Sequence, residues 1–252
     1  MRNSRGFVIL VTAFVGFALG GCSEDVLDGL SSVSTTVVTD SLSFDDVMQI
    51  DVDTAAGDIE VVAGSSQTVS VTRTFRYSGD EAPEATAEVR SGTLELYHDC
   101  SGFERCSVSY RVEAPALMAL DLASASGSIT VAAMTGAVWA DTASGSITLT
   151  DLSGEIRADT ASGSITGTGL ASARVDADTA SGSIRFTFTA EPDSVVAESS
   201  SGSVRVFVPG GPYNVDADST SGSVDIEIAT DPAAGSSIRV KSTSGSVEVG
   251  PA

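Results

Sequence analysis

Residues Ala140-Asp-Thr-Ala-Ser-Gly-Ser-Ile-Thr-Leu149 are followed 18 residues later by Ala158-Asp-Thr-Ala-Ser-Gly-Ser-Ile-Thr-Gly167, and this near-identity decides the fold. Copies of Ser-Gly-Ser-(Ile/Val) run through the second half of the chain, with glycines at 127, 145, 163, 182, 202, 222 and 245. The steps between them are 18, 18, 19, 20, 20 and 23 residues. Two weaker copies, Ala56-Gly57-Asp58-Ile59 and Ser91-Gly92-Thr93-Leu94, lie upstream at steps of 35. A period near 20 residues marks a solenoid, in which each unit buries its apolar side only by stacking on its neighbours.

Alignment on the glycines shows which positions face inward. Seven residues before each glycine stands Leu120, Val138, Ile156, Val175, Val195, Val215 or Ile238; five before, the column is mostly alanine. Two after comes Ile or Val throughout, and four after comes Val131, Leu149, Gly167, Phe186, Val206, Ile226 or Val249. Polar residues alternate with these columns, and period-two alternation rich in β-branched side chains means strands with one face buried. Each coil of 18–23 residues therefore carries two short strands joined at the Ser-Gly-Ser turn, in an all-β, parallel β-solenoid (β-helix). A positive φ is expected at the turn glycines. The flanking serines, Ser144, Ser162, Ser181, Ser201, Ser221 and Ser244, read as turn residues bonding backbone or one another. The only histidine is His98, outside the repeat, so no neighbouring motif gives these serines a general base.

Outward from the repeat, the opposite corner absorbs length variation in segments such as Val208-Pro-Gly-Gly-Pro-Tyr213 and Ala229-Thr-Asp-Pro-Ala-Ala-Gly235. The solenoid is read as residues 41–252, less regular over 41–115 and regular over 116–252. Residues 1–21 read as a lipoprotein signal peptide: Arg2 and Arg5 precede an apolar run, Phe7 to Leu19, too short to span a bilayer. Leu19-Gly-Gly-Cys22 resembles a lipobox, which makes Cys22 the lipidated residue and 22–40 a polar tether. Diacyl or triacyl attachment would hold the protein at a membrane in the extracytoplasmic cell envelope.

Setting Arg2 and Arg5 aside with the signal leaves 11 basic against 34 acidic residues, a net charge near −23, with Lys241 the only lysine. Such a surface repels nucleic acid and anionic lipid. In an exported chain, Cys100 and Cys106 read as a disulfide closing a small loop. A metal site using both with His98 is the alternative. No cofactor is indicated.

Three stretches look familiar: Asp53-Thr-Ala-Ala-Gly-Asp-Ile-Glu-Val61, Val108-Ser-Tyr-Arg-Val-Glu-Ala-Pro115 and the Thr-Ala-Ser-Gly-Ser-Ile series. Over residues 41–252 the chain resembles the DUF4097 group of β-strand-repeat, adhesin-like surface proteins. The resemblance implies a right-handed β-helical solenoid acting as a non-enzymatic binding or structural module, with an envelope glycan or a protein as partner. A β-helix polysaccharide-active enzyme is the rival, but such sites cluster Lys/Arg with carboxylate-held Ca²⁺, and here the basic residues are scattered singly. An envelope-stress accessory protein is a third reading. Four residues before the glycines stand Asp141, Asp159, Asp178, Glu198 and Asp218, with Asp53 in the early copy. This outward column reads as carboxylates splayed into water, or as a ladder bridged by Ca²⁺ or Na⁺.

Overall fold

The computed structural model describes residues 35–252, and every regular element among them is a β-strand. The strands form an 11-stranded and a 10-stranded sheet, and each coil contributes one strand to either sheet. In the Gly145 coil these are Val138–Ser144 and Ile147–Thr150; in the Gly163 coil, Ile156–Ser162 and Ile165–Leu170. Neighbouring coils pair parallel and in register, Asp141 beside Asp159 and Ile147 beside Ile165. Like residues therefore lie about 4.8 Å apart along the stack.

The core is the row of inward columns. Val138, Ile156, Ile147, Ile165, Ala158 and Ala177 are all buried, as are their equivalents in the other inner coils. Each buried Val or Ile contributes roughly 1.5–3 kcal/mol, and a solenoid repeats that gain at every coil. The gap in one column at Gly167 has a packing cause. A Cβ there would lie 2.7 Å from the Phe186 ring of the next coil, which fills the space.

A second inward column, three residues before the glycines, is polar. Thr142, Thr160 and Thr179 are buried, and each hydroxyl donates to the turn glycine carbonyl of the preceding coil at 3.1 Å. Ser199 and Ser242 do the same at 2.9 and 2.8 Å. The same carbonyls explain the glycines, and here the expectation of a positive φ is corrected. Gly57 has φ 135 and Gly202 φ 156, but the other solenoid-turn glycines are outside the left-handed region. What excludes a side chain is the coil beneath: a Cβ on Gly163 would lie 1.8 Å from the Gly145 carbonyl oxygen, and one on Gly182 1.8 Å from that of Gly163. The serines after the glycines also form a ladder, Ser164 N donating to Ser146 Oγ and Ser183 N to Ser164 Oγ.

Both ends depart from a simple stack. At the carboxyl end, Ser237–Ser244 pairs with Ser194–Ser201 on one side and Asn214–Ser219 on the other. The Gly245 coil is thus inserted between the Gly202 and Gly222 coils, and the outermost position belongs to Asn214–Ser219 and Val224–Ile226. At the other end Gln49–Thr54 lies between Thr93–His98 and Ala119–Ser126, so chain order is again inverted. The weak copy at Gly92 is not a solenoid corner. Ser91 (φ 52) and Gly92 (φ 85) form the turn of an antiparallel hairpin between Ala85–Arg90 and Thr93–His98. The corner of that end coil is instead the loop between Thr93–His98 and Cys106–Ala114. Two antiparallel strands, Thr35–Phe44 and Val69–Ser78, close the 11-stranded sheet beyond it. The segment read as a tether to residue 40 therefore enters the sheet at Thr35.

Candidate binding face

The outward face of the 10-stranded sheet carries two charged columns, whose order follows from the strand register. Four residues before the glycines the column runs Tyr97, Asp53, Ala123, Asp141, Asp159, Asp178, Glu198, Lys241, Asp218. Asp141, Asp159, Asp178 and Glu198 are thus consecutive, as expected. Asp218 is not with them, because the inserted coil places Lys241 between it and Glu198, and Ala123 separates Asp53. The column two residues earlier runs Glu95, Asp51, Asp121, Trp139, Arg157, Asp176, Val196, Arg239, Asp216. A second acidic stretch, Glu95–Asp51–Asp121, crosses the early coils, its internal order set by their exchange of places.

Neighbouring unit charges at this spacing repel by about 1 kcal/mol in water. Partial burial, then Asp159, Glu198 and Asp176, push the Asp178 carboxyl above the usual range. Partial burial and then Asp121, Glu95 and Asp53 do the same to Asp51. At the carboxyl end the alternation of sign relieves the strain: Arg239 reaches Asp216 at 3.3 Å and Lys241 reaches it at 3.7 Å. Within the ladder, Arg157 pairs with Asp159 at 2.9 Å.

Cys22 lies outside the described residues. Cys100 and Cys106 are joined in a disulfide, with Cα atoms 5.6 Å apart, so the bridge fastens the corner of an end coil. His98 is buried beside Tyr110, ring centroids 6.2 Å apart, and neither ring nitrogen has a hydrogen-bond partner. Burial holds its imidazole below the ordinary range, against the pull of Asp53 and Asp99. Its ligating atoms and the two sulfurs lie within 4.8 Å of one another. Sulfurs bonded to each other are not the thiolates that bind metal, so this group as it stands is a staple. The serines preceding the turn glycines, Ser144 and Ser162 among them, are exposed.

The Toastrack DUF4097 family model matches residues 84–250. The chain belongs to that family. Among solved structures, a candidate lipid-binding protein from Parabacteroides distasonis matches this Toastrack chain with a TM-score of 0.51 at 17% identity, covering 86% of this chain and 96% of that one. A candidate cell adhesion protein from Clostridium sporogenes gives 0.39 at 12% identity, covering 85% and 99%. A candidate adhesin from Bacteroides fragilis gives 0.36 at 11%, covering 87% and 99%. No curated protein matches the chain.

One residue of the Toastrack face escaped the sequence reading. Trp139, the only tryptophan, stands outward on the charged sheet and is 50% exposed. It lies between Asp121 and Arg157 in its column and next to Asp141 in its own strand, over an open recess of ≈ 560 Å³. The signal was present: a large aromatic at a position where the other coils carry mostly charge.

Proposed function

We propose that this Toastrack chain is a lipid-anchored, non-enzymatic module of the cell envelope that binds an envelope glycan or a protein through its repeated faces. The observation that carries the reading is the in-register face of the 10-stranded sheet, where consecutive coils present carboxylates, arginines and a tryptophan at a fixed spacing. Such a face suits multipoint recognition, because ordering the side chains costs little on a scaffold already fixed. The coils wind right-handed, as parallel crossover connections generally do. Residues 1–21 act as a signal peptide, Cys22 carries the lipid, and the disulfide fits an oxidising compartment. Two measurements test this. Cys22→Ser should abolish acyl labelling and release the protein from membranes, and unchanged membrane fractionation would remove the anchor from the proposal. The full chain should also retain specific partners in a screen against envelope glycans and secreted proteins; a screen without a saturable partner would count against a binding role.

A further inference from the structure

From the recess at Trp139 we infer a site for an amino-sugar unit of a glycan. This rests on the reading of the chain as a binding module and names the place and the ligand chemistry. Trp139 projects from a parallel sheet, flanked by the small side chains of Ala137, just before its strand begins, and Ala123, diagonally across on the neighbouring strand. Small neighbours leave the indole face open. Its volume, ≈ 560 Å³, falls within the ordinary range of small-ligand sites. An exposed indole offers an apolar face for the C–H side of a sugar ring and attracts positive charge through its π-system.

The surroundings select a cation. Five carboxylates and two guanidinium groups line the recess. Arg157 is engaged by Asp159 at 2.9 Å. Among the described residues the cation–π contacts are Arg73 over Phe75 and Arg185 over Phe207, so no side chain fills that role at Trp139. Asp121, beside Trp139 on the neighbouring strand, and Asp141, two residues along its own strand, belong to no ion pair among the described residues. A protonated sugar amine supplies hydrogen-bond donors to these carboxylates, and its ring lies against the indole. A quaternary ammonium group has no N–H to donate and is typically held by a cage of several aromatic faces. A uronate would meet the acidic face with like charge.

Because Trp139 is the only tryptophan, its fluorescence reports on this site alone. The full chain, in a non-ionic detergent free of sugar, is titrated with a glucosamine tetramer, its fully N-acetylated counterpart and choline. The amine tetramer should change the emission saturably, more weakly as salt rises, and the other two should bind far less. Asp121→Asn with Asp141→Asn should weaken binding about tenfold or more, as the loss of a charge-assisted hydrogen bond does. Trp139→Ala, followed by calorimetry, should abolish binding without lowering the melting temperature. Equal binding of the acetylated tetramer or of choline, no saturable response, or an unaffected double variant overturns the inference. If Trp139→Ala keeps every partner found in the wider screen, the recess is wrong and the binding role stands; if wild type has no partner at all, both fall.

Discussion

Gly182→Ala separates two reasons for a glycine at the solenoid turn. If backbone conformation alone demanded it, alanine would be well tolerated, because φ at this position is outside the left-handed region. The carbonyl contact predicts otherwise. The new Cβ would lie 1.8 Å from the Gly163 oxygen and 2.5 Å from its carbon, where ordinary contact begins at 3.4 Å. Both obstacles are backbone, so the two coils must part at that corner by about 1.6 Å, the shortfall from ordinary contact. Among the hydrogen bonds that cross the gap, three lie closest to the carbonyl: Gly163 N to Ser181 O at 3.0 Å, Ile165 N to Ser183 O at 3.0 Å, and Thr179 Oγ1 to Gly163 O at 3.1 Å. At about 1 kcal/mol each, their weakening costs about 3 kcal/mol. For a domain of this size that lowers the melting temperature by roughly 6–12 °C. Gly235→Ala is the control, since a Cβ there meets nothing within 4 Å, and it should stay within about 0.5 kcal/mol of wild type. Thermal denaturation followed by circular dichroism measures both. Equal melting temperatures for the two variants would refute the carbonyl explanation.

Lys241→Glu places a carboxylate between Glu198 and Asp218 and removes the 3.7 Å contact with Asp216. It should cost about 2 kcal/mol at low ionic strength and less as salt screens the column; a loss independent of salt would show that packing, not charge, is at fault. The pH dependence follows from Asp51 and Asp178, whose carboxyl pKa values are raised above their ordinary value of 3.8. The folded state then holds the proton more tightly than the unfolded one, so their contribution to stability falls as pH rises from 3.8 through the raised folded values. Asp178→Asn should therefore stabilise the protein at neutral pH and flatten this slope, and a destabilised variant at pH 7 would contradict it. The same titration with added Ca²⁺ should leave the wild-type melting temperature unchanged; a rise absent with matched Na⁺ would make the column a cation site.

The period, the inward columns and the two strands per coil were legible because burial repeats at fixed spacing, and a one-residue slip would turn a whole column outward. The order of the coils was not. Every coil presents nearly the same apolar columns, so hydrophobicity cannot say which stacks on which; only Arg239 and Lys241, basic where other coils are mostly acidic, carried that information. Gly92 misled because Ser-Gly-Thr serves a hairpin as readily as a solenoid corner. The turn glycines were assigned the wrong cause, since the constraint comes from a residue one coil away. Thr35–Asp40 looked like a tether because its alternation is polar, and its pairing with Val69–Ser78 is long-range. In the candidate face, the consecutive part of the ladder was readable from spacing, whereas the Trp139 recess needed the lateral neighbours that only register supplies.

The insertion of Ser237–Ser244 between two earlier segments has a consequence for the order of assembly. A repeat protein can ordinarily grow like a zipper, each unit docking on its neighbour in the chain. Here that sequence fails at the final step. Asn214–Ser219 has no correct partner until residues beyond it arrive, and direct docking on Ser194–Ser201 would set Glu198 against Asp218. The closing segment acts as a keystone: it sets Lys241 between Glu198 and Asp218 and joins the outermost coil to the stack. A chain halted after the Gly222 turn would lack Arg239 and Lys241 and hold an unmatched acidic end at Asp216 and Asp218.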